Sequence, residues 1–146
     1  MSNLAKIYFQ SALSSPRSTV NVDPSVTSRD LALTIAAAAE DRKGANIVIL
    51  RVSEVSYLAD YFIIVTGFSN VQVRAIAGSI EAQVEEKYQR LPVRTEGKSE
   101  GSWVLQDYGD VMVHIFMPEE REFYNLEAFW GHGERIEFPV VQLAQG

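Results

Sequence analysis

Two short, uninterrupted apolar runs constrain this chain more than any other feature. Asn46–Val52 carries Ile47, Val48, Ile49 and Leu50 in succession, and Tyr61–Thr66 carries Phe62, Ile63, Ile64 and Val65. Each has the length of a strand. Neither shows the alternation of apolar and polar residues that a wet sheet face imposes. Such runs belong to a sheet covered on both sides, which calls for helices above and below it. Gly67 breaks the second run.

Segments with helical spacing are present to do the covering. Leu31, Ile35 and Ala38–Ala39 form an apolar stripe that predicts a helix from Ser28 to Lys43. Thr27 or Ser28 suits its N-cap, Asp30 its positive start, and Arg42, Lys43 and a left-handed Gly44 its end. Val73, Ile76, Ala77, Ile80, Val84 and Tyr88 predict a second helix from Ser69 to Arg90, which Pro92 stops. A short strand at Val93–Thr95 and a polar loop at Glu96–Gly101 follow. Ser102–Asp107 and Val111–Met117 then read as a hairpin turning at Tyr108-Gly109. Pro118, with Glu119 and Glu120 behind it, opens a last helical stretch that reaches Trp130. The order predicts an α/β domain over residues 27–138, with a mixed sheet of about five strands and flanking helices. Residues 1–26 are Ser-rich and hold Lys6 and Arg17 against one acid, Asp23. They read as a flexible N-terminal extension, with an organellar transit peptide as the alternative. Residues 139–146 read as a C-terminal tail.

The chain has 146 residues, 47% of them apolar, enough for one domain with a buried core. Its formal net charge is −6, with a sequence pI near 4.9. Free nucleic acid is therefore a poor partner, and a basic protein a better one. Cysteine is absent, which removes disulfides and thiol catalysis. No apolar run approaches the roughly 18–20 residues that cross a bilayer.

Several constellations invite a chemical reading, each beside a plainer one. Gly67-Phe68-Ser69 ends a strand and opens a helix, as a phosphate cradle does and as the opening motif of nucleotidyltransferases does. The next strand offers Arg94 where such enzymes place a pair of magnesium-binding acids. A glycine break with a serine N-cap is the reading this segment favours. Asp107 and Asp110 bracket a turn; two carboxylates could hold a cation, but a tight turn with polar flanks needs none and is the favoured reading. His114 shares a strand face with Met112 and Phe116, the setting of a structural histidine rather than a base. His132 has no cysteine partner, and no serine stands in a nucleophile elbow. Trp103 shares a face with Leu105 and Asp107 and reads equally as core or as interface anchor. Tyr124, Leu126, Phe129 and Trp130 read as packing from the last helix. No catalytic set, cofactor site or metal site emerges.

Taken together, these residues resemble the Iojap family, the ribosomal silencing factors, over about residues 28–131. The resemblance is carried by Asp60-Tyr61-Phe62-Ile63-Ile64, Gly67, Ser69, Val73, Ala75, Glu96-Gly97, Trp103, Asp107-Tyr108-Gly109-Asp110, Val113-His114-Ile115-Phe116, Arg121, Tyr124, Leu126-Glu127 and Trp130. It implies a nucleotidyltransferase-like fold without the catalytic acids. It implies a non-enzymatic repressor of translation that binds a protein of the large ribosomal subunit at the intersubunit face and hinders subunit joining. It also implies a link to large-subunit maturation, self-association when free, and a cytoplasmic or organellar location. On this reading Trp103, Leu105, Asp107 and Asp110 face the partner, with Tyr124 and Glu127 as further contacts. Apolar anchors supply affinity, and carboxylates pair with Lys or Arg. The rival readings are a large-subunit assembly factor and a nucleotide-binding enzyme built on Gly67 and Ser69.

Overall fold

The computed structural model describes residues 4–14, 27–53, 59–130, 134–136 and 138. Helix α1 spans Leu4–Ser14 and α2 Ser28–Asp41; strands β1 and β2 span Ala45–Arg51 and Tyr61–Thr66. Helix α3 (Asn70–Tyr88) leads to β3 (Arg94–Glu96), β4 (Trp103–Asp107) and β5 (Val111–Phe116). Two short helices, α4 (Pro118–Tyr124) and α5 (Leu126–Phe129), precede β6 (Glu134–Ile136). The sheet runs β3-β4-β5-β2-β1-β6. Its central neighbours β2 and β5 are parallel, from Tyr61↔Val111 to Thr66↔Phe116, and its other pairs are antiparallel.

Every residue of β2, β4 and β5 is buried, so the alternation of side chains divides them between two apolar layers. On one face Ile63, Val65, Val104, Val113 and Ile115 pack under α2 and α3, which present Leu31, Ile35, Val73, Ile76 and Ile80. On the other, Phe62, Ile64, Trp103, Leu105, Met112 and Phe116 pack under α1 and α5, which present Ala5, Phe9 and Leu126. The continuous apolar runs of the sequence thus find the two-sided cover they demand.

Local chemistry fixes the element ends. The Thr27 side chain accepts from the Asp30 amide at 3.0 Å, and Ser69 caps α3 by accepting from the Gln72 amide at 3.0 Å. The left-handed residue after α2 is Lys43 (φ 63°), not Gly44. Gly44 serves close approach instead, because a Cβ there would meet Val65 Cγ1 at 2.7 Å. Helix α3 ends at a left-handed Gln89 (φ 53°), before Pro92 can act. A left-handed Asn125 (φ 46°) cuts the last helical stretch in two.

Two elements depart from the sequence expectation. The sheet has six strands rather than five, because Glu134–Ile136 adds an edge strand on β1. Within residues 1–26, where a flexible extension is expected, Leu4–Ser14 form a helix seated on the sheet. Its stripe of Ala5, Tyr8, Phe9 and Ala12 has helical spacing and is buried or half-buried. The expectations for residues 15–26, for His132 and for the tail at 139–146 fall outside the described residues.

Candidate functional site

The face under α1 gathers most of the residues that the sequence singles out. Trp103, Leu105 and Asp107 project from β4, and Met112, His114 and Phe116 from the neighbouring β5. Antiparallel register sets Trp103 opposite Phe116 and Leu105 opposite His114. The Trp103 indole N–H donates to His114 Nδ1 at 3.2 Å. That bond requires the imidazole proton on Nε2, which is buried and finds no acceptor among the described residues. Rings close around the imidazole: Phe9 at 5.0 Å, Phe62 at 5.3 Å and Phe116 at 6.1 Å between centroids. Burial among them lowers the His114 pKa to about 3, so the ring is neutral. His114 is a structural residue bonded to Trp103, as its strand neighbours suggest.

The acids at the hairpin turn are engaged within the protein. Asp107 is fully buried; its Oδ1 accepts from the Gly109 amide at 2.8 Å and its Oδ2 from the Tyr8 hydroxyl at 2.7 Å. Asp110 takes Arg90 Nη2 at 2.8 Å and the Ser28 hydroxyl at 2.9 Å. Arg90 Nη2 also donates to the Tyr108 carbonyl at 2.7 Å, which clamps the turn to the end of α3. Gly109 (φ 94°) supplies the left-handed backbone that the turn needs. Burial pushes the Tyr108 phenol pKa up.

The expectation that Trp103, Leu105 and Asp107 face a partner is not met in the free chain. Trp103 is 1% exposed and the other two are fully buried. The physical reason is α1, together with Tyr124, whose ring lies 4.7 Å from that of Trp103. Beside them lies a groove of about 320 Å³ lined by Trp103, Phe9, Leu13, Tyr124, Leu126 and Trp130, together with Lys6 and Gln10. Glu127 lies apart from this groove. It accepts from Arg121 Nε at 2.9 Å, and Arg121 Nη1 donates to Thr66 Oγ1 at 2.8 Å. Asp110 stands with Arg90, likewise away from the groove residues. The structure therefore brings together Trp103, Leu105, Asp107 and Tyr124, and leaves Asp110 and Glu127 in separate ion pairs. Sequence reasoning missed Lys6, Tyr8 and Phe9 as parts of this face; the spacing of Ala5, Tyr8, Phe9 and Ala12 is the signal that marks them.

At Gly67-Phe68-Ser69, the Phe68 amide donates to Gln72 Oε1 at 2.8 Å while Ser69 caps α3. Gly67 is required by packing, since a Cβ would lie 2.9 Å from Val73 Cγ2. The plainer reading of this segment accounts for its geometry. Among the described residues no group of three or more His, Cys, Asp or Glu gathers at one point, and no described helix is long and apolar enough to cross a membrane.

A mixed sheet between two helical layers, with its turn acids tied into its own scaffold, defines a small α/β domain. The model of the family "Ribosomal silencing factor during starvation" matches residues 25–145, and the chain belongs to that family. A crystal structure of a Chromobacterium violaceum protein superposes with a TM-score of 0.70 at 37% identity, covering 79% of this chain and 94% of that one. The maize protein named "Protein Iojap, chloroplastic" is 39% identical over 124 residues, which is 85% of this chain. The chain spans 54% of the length of that relative. A mouse protein named "Mitochondrial assembly of ribosomal large subunit protein 1" is 31% identical over 87 residues, 58% of this chain and 38% of its own length. Relatives thus occur in bacteria and bear organellar names, a range that includes both locations the sequence allows.

Proposed function

We propose that this chain represses translation by occupying space. It docks on a protein of the large ribosomal subunit at the intersubunit face, and its bulk keeps the small subunit from joining. The observation that carries this reading is the apolar groove over Trp103 on an acidic domain whose family is one of ribosomal silencing factors. Aromatic walls suit an apolar anchor, and a net charge of −6 suits a basic ribosomal protein. Steric blocking needs no turnover, which agrees with acids spent on the hairpin turn. The protein is sedimented with isolated large and small subunits across a salt series. Co-sedimentation with the large subunit alone, and reduced subunit joining after pre-binding, are expected. Association with the small subunit, or none, overturns the reading.

The mouse relative's name favours a second role in large-subunit assembly. That role predicts immature large subunits on depletion of this protein while translational silencing stays intact.

A further inference from the structure

One element touches the proposed docking residues yet lies outside the family match. The matched region begins at residue 25, whereas α1 ends at Ser14. Three side chains of α1 meet three of the residues assigned to partner binding. The Phe9 ring lies 6.1 Å from that of Trp103, and it also covers Phe62 at 6.0 Å. The Tyr8 hydroxyl donates to Asp107 at 2.7 Å. The Lys6 ammonium stands 5.6 Å from the centre of the Tyr124 ring. An aromatic anchor, a donor to a buried carboxylate and a cation over an aromatic ring are the contacts that a bound protein ligand makes.

The seating of α1 is also one-sided. Leu4, Ile7 and Leu13 remain 46%, 52% and 47% exposed, and Leu13 also lines the groove. We propose that α1 is an intrachain occupant of the docking face: it holds the place of the ribosomal protein and leaves when that protein binds. This rests on the reading above that the Trp103 face is the docking surface. The incoming partner is a basic protein that presents an apolar side chain to the slot of Phe9 and a Lys or Arg to Asp107. The exchange favours that partner, because a cationic donor replaces the neutral hydroxyl of Tyr8 on a carboxylate. Self-occupation lowers the apparent affinity by the fraction of molecules with the face open, so loosening α1 tightens binding.

The test uses the full chain with isolated large ribosomal subunits as the probe. Amide hydrogen exchange over residues 4–13 is measured free and bound; faster exchange in the complex is expected. Phe9→Ser should bind the large subunit about tenfold or more tightly, and Tyr8→Phe by a smaller factor. Amides of α1 as protected in the complex as in the free chain, or more so, overturn the proposal. So does unchanged or weaker binding by a Phe9→Ser variant that keeps its circular dichroism and melting transition. Should Phe9→Ser not fold, exchange on the unaltered chain decides. Binding with α1 still seated sinks this inference alone, whereas no binding by either form sinks the docking reading and this inference with it.

Discussion

Trp103→Ala is a test of what this residue does before any partner arrives. The indole is among the largest fully buried side chains, lies 1% exposed, and packs against Phe116 at 4.8 Å and Tyr124 at 4.7 Å. Emptying such a site costs about 3–5 kcal/mol in transfer and cavity energy. The change also strips His114 Nδ1 of its donor while Nε2 is already without an acceptor among the described residues. A buried polar group left unpaired costs a further ~1–3 kcal/mol. Together the loss is about 4–8 kcal/mol, a large share of the roughly 5–15 kcal/mol that holds an ordinary domain folded. At about 2–4 °C per kcal/mol for a chain near this size, the midpoint should fall by about 8–32 °C. Urea unfolding at pH 7.5, followed by far-ultraviolet circular dichroism, measures the change directly. Trp103→Phe keeps much of the ring but not the N–H, and should lose about 1–3 kcal/mol. An alanine variant within about 1 kcal/mol of the parent would refute the core assignment. Any weakening of ribosome binding by Trp103→Ala must be read against this loss of fold.

Two further outcomes follow from the same geometry. His114 is held near pKa 3 in the folded chain against about 6.5 when exposed, so below pH 6.5 the unfolded state binds the additional proton. Its contribution is therefore complete above pH 6.5 and falls by about 1.4 kcal/mol per unit as the pH drops toward 3; the urea midpoint measured from pH 7.5 to 5 should show this slope, and His114→Phe should flatten it. Arg90→Met removes the partner of Asp110, a pair whose side chains are only 13% and 9% exposed, and frees the Tyr108 carbonyl; a loss of about 3–5 kcal/mol in urea unfolding is expected, and less than about 1 kcal/mol would show that the clamp on the turn is dispensable.

The central sheet and its α2–α3 cover are legible in the sequence because their signals are periodic and local. The stretch Tyr61–Thr66 reads as one strand with its true ends, and Ser69 reads as the cap of α3. Element ends that depend on a left-handed non-glycine residue are not legible in the same way. Lys43 and Gln89 take that conformation where the expectation rests on Gly44 and Pro92, and Asn125 takes it inside a stretch expected to run unbroken, so the end of α2, the end of α3 and the break between α4 and α5 all differ from expectation. Helix α1 is hidden for another reason: the serines and prolines around it outweigh a stripe of four residues, one of them alanine at each end. The site suffers the same blindness. A strand of alternating type tells which residues share a face, and Trp103, Leu105 and Asp107 do; it cannot tell what lies over that face. Only tertiary contact reveals that Tyr8 and Phe9 do.

The parallel pairing of β2 with β5 has a kinetic consequence. β1 and β2 can zip as neighbours in sequence, and so can β4 and β5, each closing a short span. The two halves become one sheet only when Tyr61 finds Val111, with the Asp60 amide donating to the Asp110 carbonyl at 2.8 Å beside them. That closure gathers all of α3, β3 and β4 into a single loop, and long-range closures of this kind are the slow ones. The seam between β2 and β5 is thus a long-range closure on which the two halves of the sheet depend to become one.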